Sequence, residues 1–222
     1  MIRAAAFICL AAVVATSGAG AFPLGFSIGG GTGLGYYSMS ALNEHIGIVA
    51  QESLLSVDEL ANGVNVRLEG RLWYARIAAI TGGYEHFWGK TESVESSSLS
   101  YQAPADVYTL GILVTFLRFE NSFDLGVGAN YCRAEAFYRT NETTIRRLAE
   151  FTGEDGGFET YAEIHTNFLN PLEIGFQLGY RRLKIETLND AYGDRAYFEP
   201  DLPIEIDYSG VFFYLTSSIR IN

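Results

Sequence analysis

Leu172-Glu173-Ile174-Gly175-Phe176-Gln177-Leu178-Gly179-Tyr180 decides the fold. Large apolar side chains occupy every second position, with glycine, an amide and a full charge between them. Period-two alternation is the mark of a strand with two unlike faces. Phe123-Asp124-Leu125-Gly126-Val127-Gly128-Ala129-Asn130-Tyr131 repeats the pattern, and so does Val64-Asn65-Val66-Arg67-Leu68-Glu69-Gly70-Arg71-Leu72. Eight such runs are expected, at about 25–37, 63–73, 75–90, 105–117, 122–138, 157–168, 172–187 and 204–221. The connections alternate between a few residues and long polar stretches at 38–62, 91–104, 139–156 and 188–203. The sharpest short turn is Leu169-Asn170-Pro171. Even strand number, short–long alternation and one polar face belong to a membrane-spanning barrel.

Two faces follow from the solvent. In hydrocarbon every backbone N–H and C=O must pair internally, which a closed barrel achieves without edges. Its exterior is then apolar and its interior polar. A soluble lipocalin-like barrel has the opposite sense, with apolar residues lining the cavity. Aromatic positions arbitrate between the two. Trp73, Tyr74, Phe116, Phe119, Phe123 and Phe168 gather near the short turns. Tyr36, Tyr37, Tyr84, Trp88, Phe137, Tyr138, Phe158 and Tyr208 gather toward the long loops. Two bands at opposite strand ends match the interfacial girdles of membrane barrels.

Composition agrees. The 222 residues are 48% hydrophobic and 14% aromatic, enough apolar surface to exclude a disordered chain. A net charge of −11 repels phosphate and excludes nucleic acid as a partner. Cys9 and Cys132 are too few for a disulfide framework or a zinc site. Residues 1–21 read as a signal peptide: Arg3 is a positive start, Ala4–Ala15 a short apolar stretch, and Ala19-Gly20-Ala21 a small-residue cleavage site. Residues 22–222 then form one barrel domain.

These features make the chain resemble the OmpA/OmpX-type family of eight-stranded outer-membrane barrels, over essentially the whole mature length. Tyr208-Ser209-Gly210-Val211-Phe212-Phe213-Tyr214-Leu215 resembles the family's last-strand assembly signal. The family usually ends on an aromatic residue, whereas this chain ends Arg220-Ile221-Asn222, with Ile219 and Ile221 keeping the outward parity. The resemblance implies an all-β fold: an eight-stranded antiparallel up-and-down transmembrane β-barrel with both termini periplasmic. It implies outer-membrane lipid and the barrel-assembly machinery as partners, with no cofactor and no identified extracellular partner. It carries no catalytic motif.

Outward apolar parity places an inner set. Ser27, Gly29, Gly31, Gly33 and Gly35 leave the first strand nearly bare. Facing it are Asn65, Arg67, Glu69, Arg71, Thr81, Gly83, Glu85, Asp124, Asn130, Glu159, Tyr161, Glu163, His165, Asn167, Glu173, Gln177, Arg181, Tyr214, Thr216, Ser218 and Arg220. Charge in a narrow lumen must be paired. A salt-bridged network of Arg67, Glu69, Arg71, Glu85, Glu159, Glu163, Glu173, Arg181 and Arg220 is therefore expected. Glu173 and Arg220 are the pair expected to close the short-turn end, and Glu159 falls opposite Arg181 if Asn170 centres its turn. The glycines of Gly29–Gly35 lack the following lysine of a phosphate loop and make room inside the barrel.

Three histidines are the candidates for chemistry. His165-Thr166-Asn167 is faintly like the His-x-Ser of lipid A deacylases but lacks the serine, and it lies near a short turn. His86, beside Glu85 near the opposite rim, is better placed but has no obvious nucleophile. His45 lies in the first loop. No enzyme is the expectation. The acidic residues Glu142, Glu150, Glu154, Asp155, Asp190, Asp194, Glu199 and Asp201 read as solvated loops rather than a calcium site. Asn141-Glu142-Thr143 is a coincidental sequon, and inward Cys132 a packed filler. In the first loop, Leu42, Ile46, Val49 and Ala50 share one helical face behind the N-cap Ser40. Such a helix needs a partner, and the barrel mouth or the lumen beside the bare strand is nearest. The functional expectation is a structural, adhesive or small-solute (porin-like) role. The rivals are an outer-leaflet lipid-modifying enzyme and a soluble periplasmic carrier.

Overall fold

A computed structural model describes residues 24–52, 54, 56–60, 62–92, 99–119, 122–142, 147–166, 171–199 and 202–221. The expected signal peptide at 1–21 and the residues Leu55, Thr143, Asn167, Phe168, Leu169, Asn170, Asp201 and Asn222 lie outside the described residues. Eight long strands carry the fold: β1 (Leu24–Tyr37), β2 (Asn62–Tyr74), β3 (Ala78–Trp88), β4 (Ala105–Phe119), β5 (Phe123–Glu142), β6 (Arg147–Thr166), β7 (Leu172–Arg182) and β8 (Gly210–Ile221). One helix, α1 (Ser40–Glu52), follows β1. Every strand pairs antiparallel with its neighbour in sequence, β8 returns to β1, and the ring is closed. Closure leaves the main sheet no free edge at the level where all eight strands pair.

The outward face of the short-turn half is apolar. Ile28, Leu34, Leu68, Ile80, Leu110, Ile112, Val127, Phe176, Leu178, Leu215 and Ile219 are exposed around the wall. Outward aromatics bound this belt, with Tyr74, Phe116 and Phe119 near the short turns. Tyr36, Trp88 and Phe158 stand toward the other end, joined by Tyr108, Tyr131 and Tyr180. Not every aromatic near a strand end belongs to a girdle. Trp73, Tyr37, Tyr138 and Tyr208 are buried inside the barrel. Trp73 shares parity with Arg71, so it had to point inward.

Beyond the second aromatic band the strands continue and the sense of the faces reverses. The segment 139–156, read from sequence as a long loop, is mostly a hairpin, with β5 running to Glu142 and β6 starting at Arg147. Its outward residues are charged: Arg133 meets Glu154 at 2.5 Å and Arg139 meets Glu150 at 2.9 Å. Its inward residues include Cys132, Ala134, Ala136 and Tyr138, all buried. Segments 91–104 and 188–203 are also partly ordered. Leu99–Gln102 adds to β5, and Lys184–Ile185 pairs with Ile206–Asp207. The run expected at 172–187 therefore breaks at Leu183, and the run at 204–221 becomes barrel strand only from Gly210. Asp190 is no free loop charge either: its Oδ1 accepts from the backbone of Tyr192 at 2.8 Å and Asp194 at 3.0 Å.

The first-loop helix finds its partner here. Leu42, Ile46 and Ala50 are buried, and Leu42 and Ile46 join Met39, Leu60, Phe87, Tyr101, Leu183, Ile185, Leu188, Ile204, Ile206 and Tyr208 in one apolar cluster. The helix thus roofs the long-loop end rather than filling the lumen beside β1. What occupies the space over the glycines of β1 is the neighbouring strand. A Cβ on Gly33 would sit 1.9 Å from the Phe213 carbonyl oxygen and 2.7 Å from the Tyr214 ring.

Candidate functional site

The lumen of the short-turn half holds a charged network in two tiers. In the upper tier, β2 supplies Arg67 and β3 supplies Glu85, which are Cα partners. β6 supplies Glu159 and β7 supplies Arg181, also Cα partners. The register expected at the third turn is thus the observed one. In the closed order, β2 stands across the barrel from β6 and β3 from β7. The two hairpins meet through the lumen. Arg67 Nη2 lies 2.9 Å from Glu85 Oε2 and 2.9 Å from Glu159 Oε2. Arg181 Nη2 lies 2.5 Å from Glu85 Oε2 and 2.7 Å from Glu159 Oε2. Two guanidiniums and two carboxylates form one neutral, buried cross-brace.

Uncharged groups complete it. Asn65 Nδ2 donates to Glu85 Oε1 at 2.8 Å and lies within hydrogen-bond reach of the Tyr37 and Tyr214 hydroxyls. Asn130 Nδ2 donates to Glu159 Oε1 at 2.9 Å, while its Oδ1 accepts from Thr81. The Arg67 guanidinium sits 4.6 Å over the Tyr214 ring. Asn65 Oδ1 has no partner among the described residues, but both carboxylates and both guanidiniums are paired, which is what makes a buried ionic cluster tolerable.

The lower tier repeats the diameter-spanning pair. Arg71 of β2 grips Glu163 of β6 in a fork, both distances 2.5 Å, and also contacts Glu69. Gln177 links the tiers: its amide donates to Glu163 at 2.7 Å, and its oxygen accepts from Arg67 at 3.5 Å. His165 Nδ1 stands 3.0 Å from Glu163, and its Nε2 is 3.5 Å from Asp124. Nearest the short turns, Arg220 Nη2 lies 3.0 Å from Glu173 Oε1. The guanidinium of Arg220 stacks 4.8 Å over Trp73, whose indole donates to Ser27. The space left among these groups is a void of about 20 Å³, room for about one water.

Two features were missed by sequence reading. A register shift between Thr115 and Leu117 in β4 turns Arg118 inward as the Cα partner of Asp124, which it reaches at 3.2 Å, so it joins the lower tier although unbroken alternation would place it outside. The apolar roof was invisible because its residues are scattered over segments 39–60, 87–107, 132–138 and 183–208. Their common polarity reversal is the signal that carried it. Within that roof Tyr208 donates to the Ala103 carbonyl at 3.0 Å, and burial pushes its hydroxyl pKa up.

The three histidines lie apart. His45 is on α1, His165 is in the lower lumen, and His86 is on the outward wall of β3. They form no common centre. Cys132 is buried in the roof cluster.

The sequence matches no protein-family model, and no curated protein matches it. Solved structures do resemble its fold. Ail, the attachment invasion locus protein of Yersinia pestis, in complex with the heparin analogue sucrose octasulfate, is 10% identical with a TM-score of 0.54. That match covers 89% of this chain and 99% of that one. The outer membrane protein OprG from Pseudomonas aeruginosa is 10% identical with a TM-score of 0.55, over 89% and 96%. A major outer membrane protein from Thermus thermophilus is 8% identical with a TM-score of 0.51, over 89% and 99%. At such identities the likeness concerns fold alone: the chain has the architecture of the OmpA/OmpX-type eight-stranded outer-membrane barrels.

Proposed function

We propose that this is an integral outer-membrane protein that displays a rigid headpiece on the cell surface, with a structural or adhesive role and no open solute path. The observation that carries the reading is the reversal of polarity along the barrel. One half is apolar outside and charged inside, as hydrocarbon requires. The other half is charged outside and apolar inside, as water requires. A chain built so is fixed at one depth in a bilayer, with its ordered headpiece in solvent.

Outer-membrane lipid and the barrel-assembly machinery are then its partners, residues 1–21 its export signal, and both termini periplasmic. The paired lumen charges brace the wall, and no enzymatic activity is part of this reading. A surface role also suits the likeness to Ail, which is described as an attachment invasion locus protein. The test is fractionation followed by surface proteolysis of intact cells. The protein should stay with outer membranes until detergent is added. External protease should cut only on the long-loop side, at 91–104 or at the tip between Glu142 and Arg147. Release in detergent-free buffer, or cleavage at the short turns alone, overturns the reading.

A further inference from the structure

The outward wall of β3 and β4 carries a polar cluster that neither the lumen nor the roof uses. His86 and Asp106 are Cα partners across these strands. His86 Nδ1 lies 2.7 Å from Asp106 Oδ1, and the Tyr84 hydroxyl donates to the same oxygen at 2.7 Å. A carboxylate only accepts, so Nδ1 carries the proton and Nε2 is the ring atom left for an outside group. Trp88 meets the His86 ring edge-on at 4.4 Å, and Tyr108 stands 5.6 Å from Tyr84. The His86 and Asp106 side chains are 28% and 27% exposed, and Trp88 is 51% exposed, so the cluster is held in place yet reachable.

Its level in the fold narrows the ligand. On the short-turn side the wall is aliphatic, with Leu68, Leu110 and Ile112 exposed, while Val66, the Cα partner of His86, is exposed beside the cluster. In the cluster's own row, on the next two strands, stand Glu135, the Cα partner of Asp106, and Glu154 opposite it, already engaged by Arg133. The cluster therefore sits where acyl chains give way to headgroups. Its surroundings are acidic, which disfavours a phosphate or another anion. What remains is a neutral ligand with hydroxyls for Asp106 and Nε2 and an apolar ring face for the exposed indole. A sugar ring has both.

We propose that His86, Asp106 and Trp88 form a binding site for the neutral sugar headgroup of an outer-leaflet glycolipid. Tyr84 fixes the carboxylate, and the acyl chains lie along Leu68, Leu110 and Ile112. The proposal rests on the outer-membrane reading above, including the long-loop end facing outward, since only then does the cluster meet the outer leaflet. A lipid-borne sugar is favoured over a free one because the site is on the side wall, directly above aliphatic surface.

The test is native mass spectrometry of the full chain in detergent, titrated with a glucosyl diacylglycerol, with phosphatidylglycerol, and with free methyl glucoside. The wild-type protein should retain the glycolipid over both others. Asp106→Asn and Trp88→Leu should each weaken retention about five- to tenfold, whereas Tyr180→Leu, on β7 across the barrel, should leave it unchanged. Heat-shifted gel mobility shows whether each variant is folded. In wild-type protein labelled at histidine nitrogen, glycolipid should move the His86 Nε2 resonance, a readout that needs no variant. Equal retention of phosphatidylglycerol, unaltered binding by Asp106→Asn and Trp88→Leu, or an unmoved His86 signal overturns the proposal. Free glucoside binding as tightly as the glycolipid overturns the lipid source. Detergent has no sidedness, so surface proteolysis of cells reads the orientation separately.

Discussion

Glu159 is the residue on which the lumen turns, because its Oε2 meets both Arg67 and Arg181 while Oε1 takes the Asn130 amide. Glu159→Gln removes a negative charge between two buried guanidiniums that water does not reach. Breaking one partner of a buried pair costs about 3–5 kcal/mol. The variant should therefore unfold at clearly lower urea than wild type in a detergent or lipid refolding assay. A midpoint within error of wild type would mean that the cross-brace is not under load. In the roof, Tyr208 makes a weaker and pH-dependent contribution. Burial raises its pKa in the folded protein, so the unfolded chain loses the phenolic proton first. The contribution is intact below the unfolded value of about 10 and is lost as the pH rises beyond it. Stability should fall more steeply above that pH in wild type than in Tyr208→Phe, read from near-ultraviolet circular dichroism of both. Parallel pH profiles would remove Tyr208 from the account.

At the scale of elements, the β2–β3 turn stores the clearest strain. Ala75 and Arg76 both have positive φ, 50° and 59°, and Ile77 N closes the turn on Tyr74 O at 3.0 Å. A left-handed residue with a side chain costs roughly 1–2 kcal/mol, part of which glycine gives back as chain entropy. Ala75→Gly should therefore stabilise the barrel by about 0.5–1 kcal/mol, measured as a rise in the urea midpoint; a fall would show that the Ala75 methyl packs. The sequence runs at 63–73 and 75–90 placed a short turn here but centred it on Tyr74, since Ala75, Arg76 and Ile77 continue the alternation of the second run. Elsewhere legibility followed the solvent. Strands between two aromatic bands were readable because an apolar outer face is unmistakable at period two. The 139–156 hairpin was not, because Arg139, Glu150 and Glu154 face outward and look like a polar loop until their cross-strand partners are known. The helix was readable from Leu42, Ile46 and Ala50, but not its seat, which depends on Ile206 and Tyr208, more than 150 residues away in the chain. The lumen charges could be listed by parity. That Arg67 and Arg71 reach across the full diameter to β6 follows only from closure.

For the whole molecule the decisive quantity is whether a continuous water column can cross it. Eight strands enclose a lumen that side chains can fill, and wide pores belong to barrels of many more strands. Here four barriers lie in series. Arg220 and Glu173 stand at the short-turn end, Arg71–Glu163 spans the lumen above them, the Arg67–Glu85–Glu159–Arg181 brace crosses the middle, and the Leu42–Ile46–Tyr208 roof closes the top. The unmodified protein should give no steady large conductance in a planar bilayer. Series barriers also predict what single substitutions do. Glu173→Ala frees Arg220 and wets the lower void, but the brace and the roof still separate the two sides, so the current should remain at baseline. Removing the brace and the Arg71–Glu163 pair as well, with Arg67, Arg71, Glu85, Glu159, Glu163 and Arg181 all replaced by alanine in the same chain, leaves only the apolar roof. Transient openings should then appear, short because an apolar constriction dewets rather than hydrates. A porin-like current from the wild type would show that the charges do not seal the lumen. A sustained current from Glu173→Ala alone would show that the lower pair, not the cross-brace, is the gate.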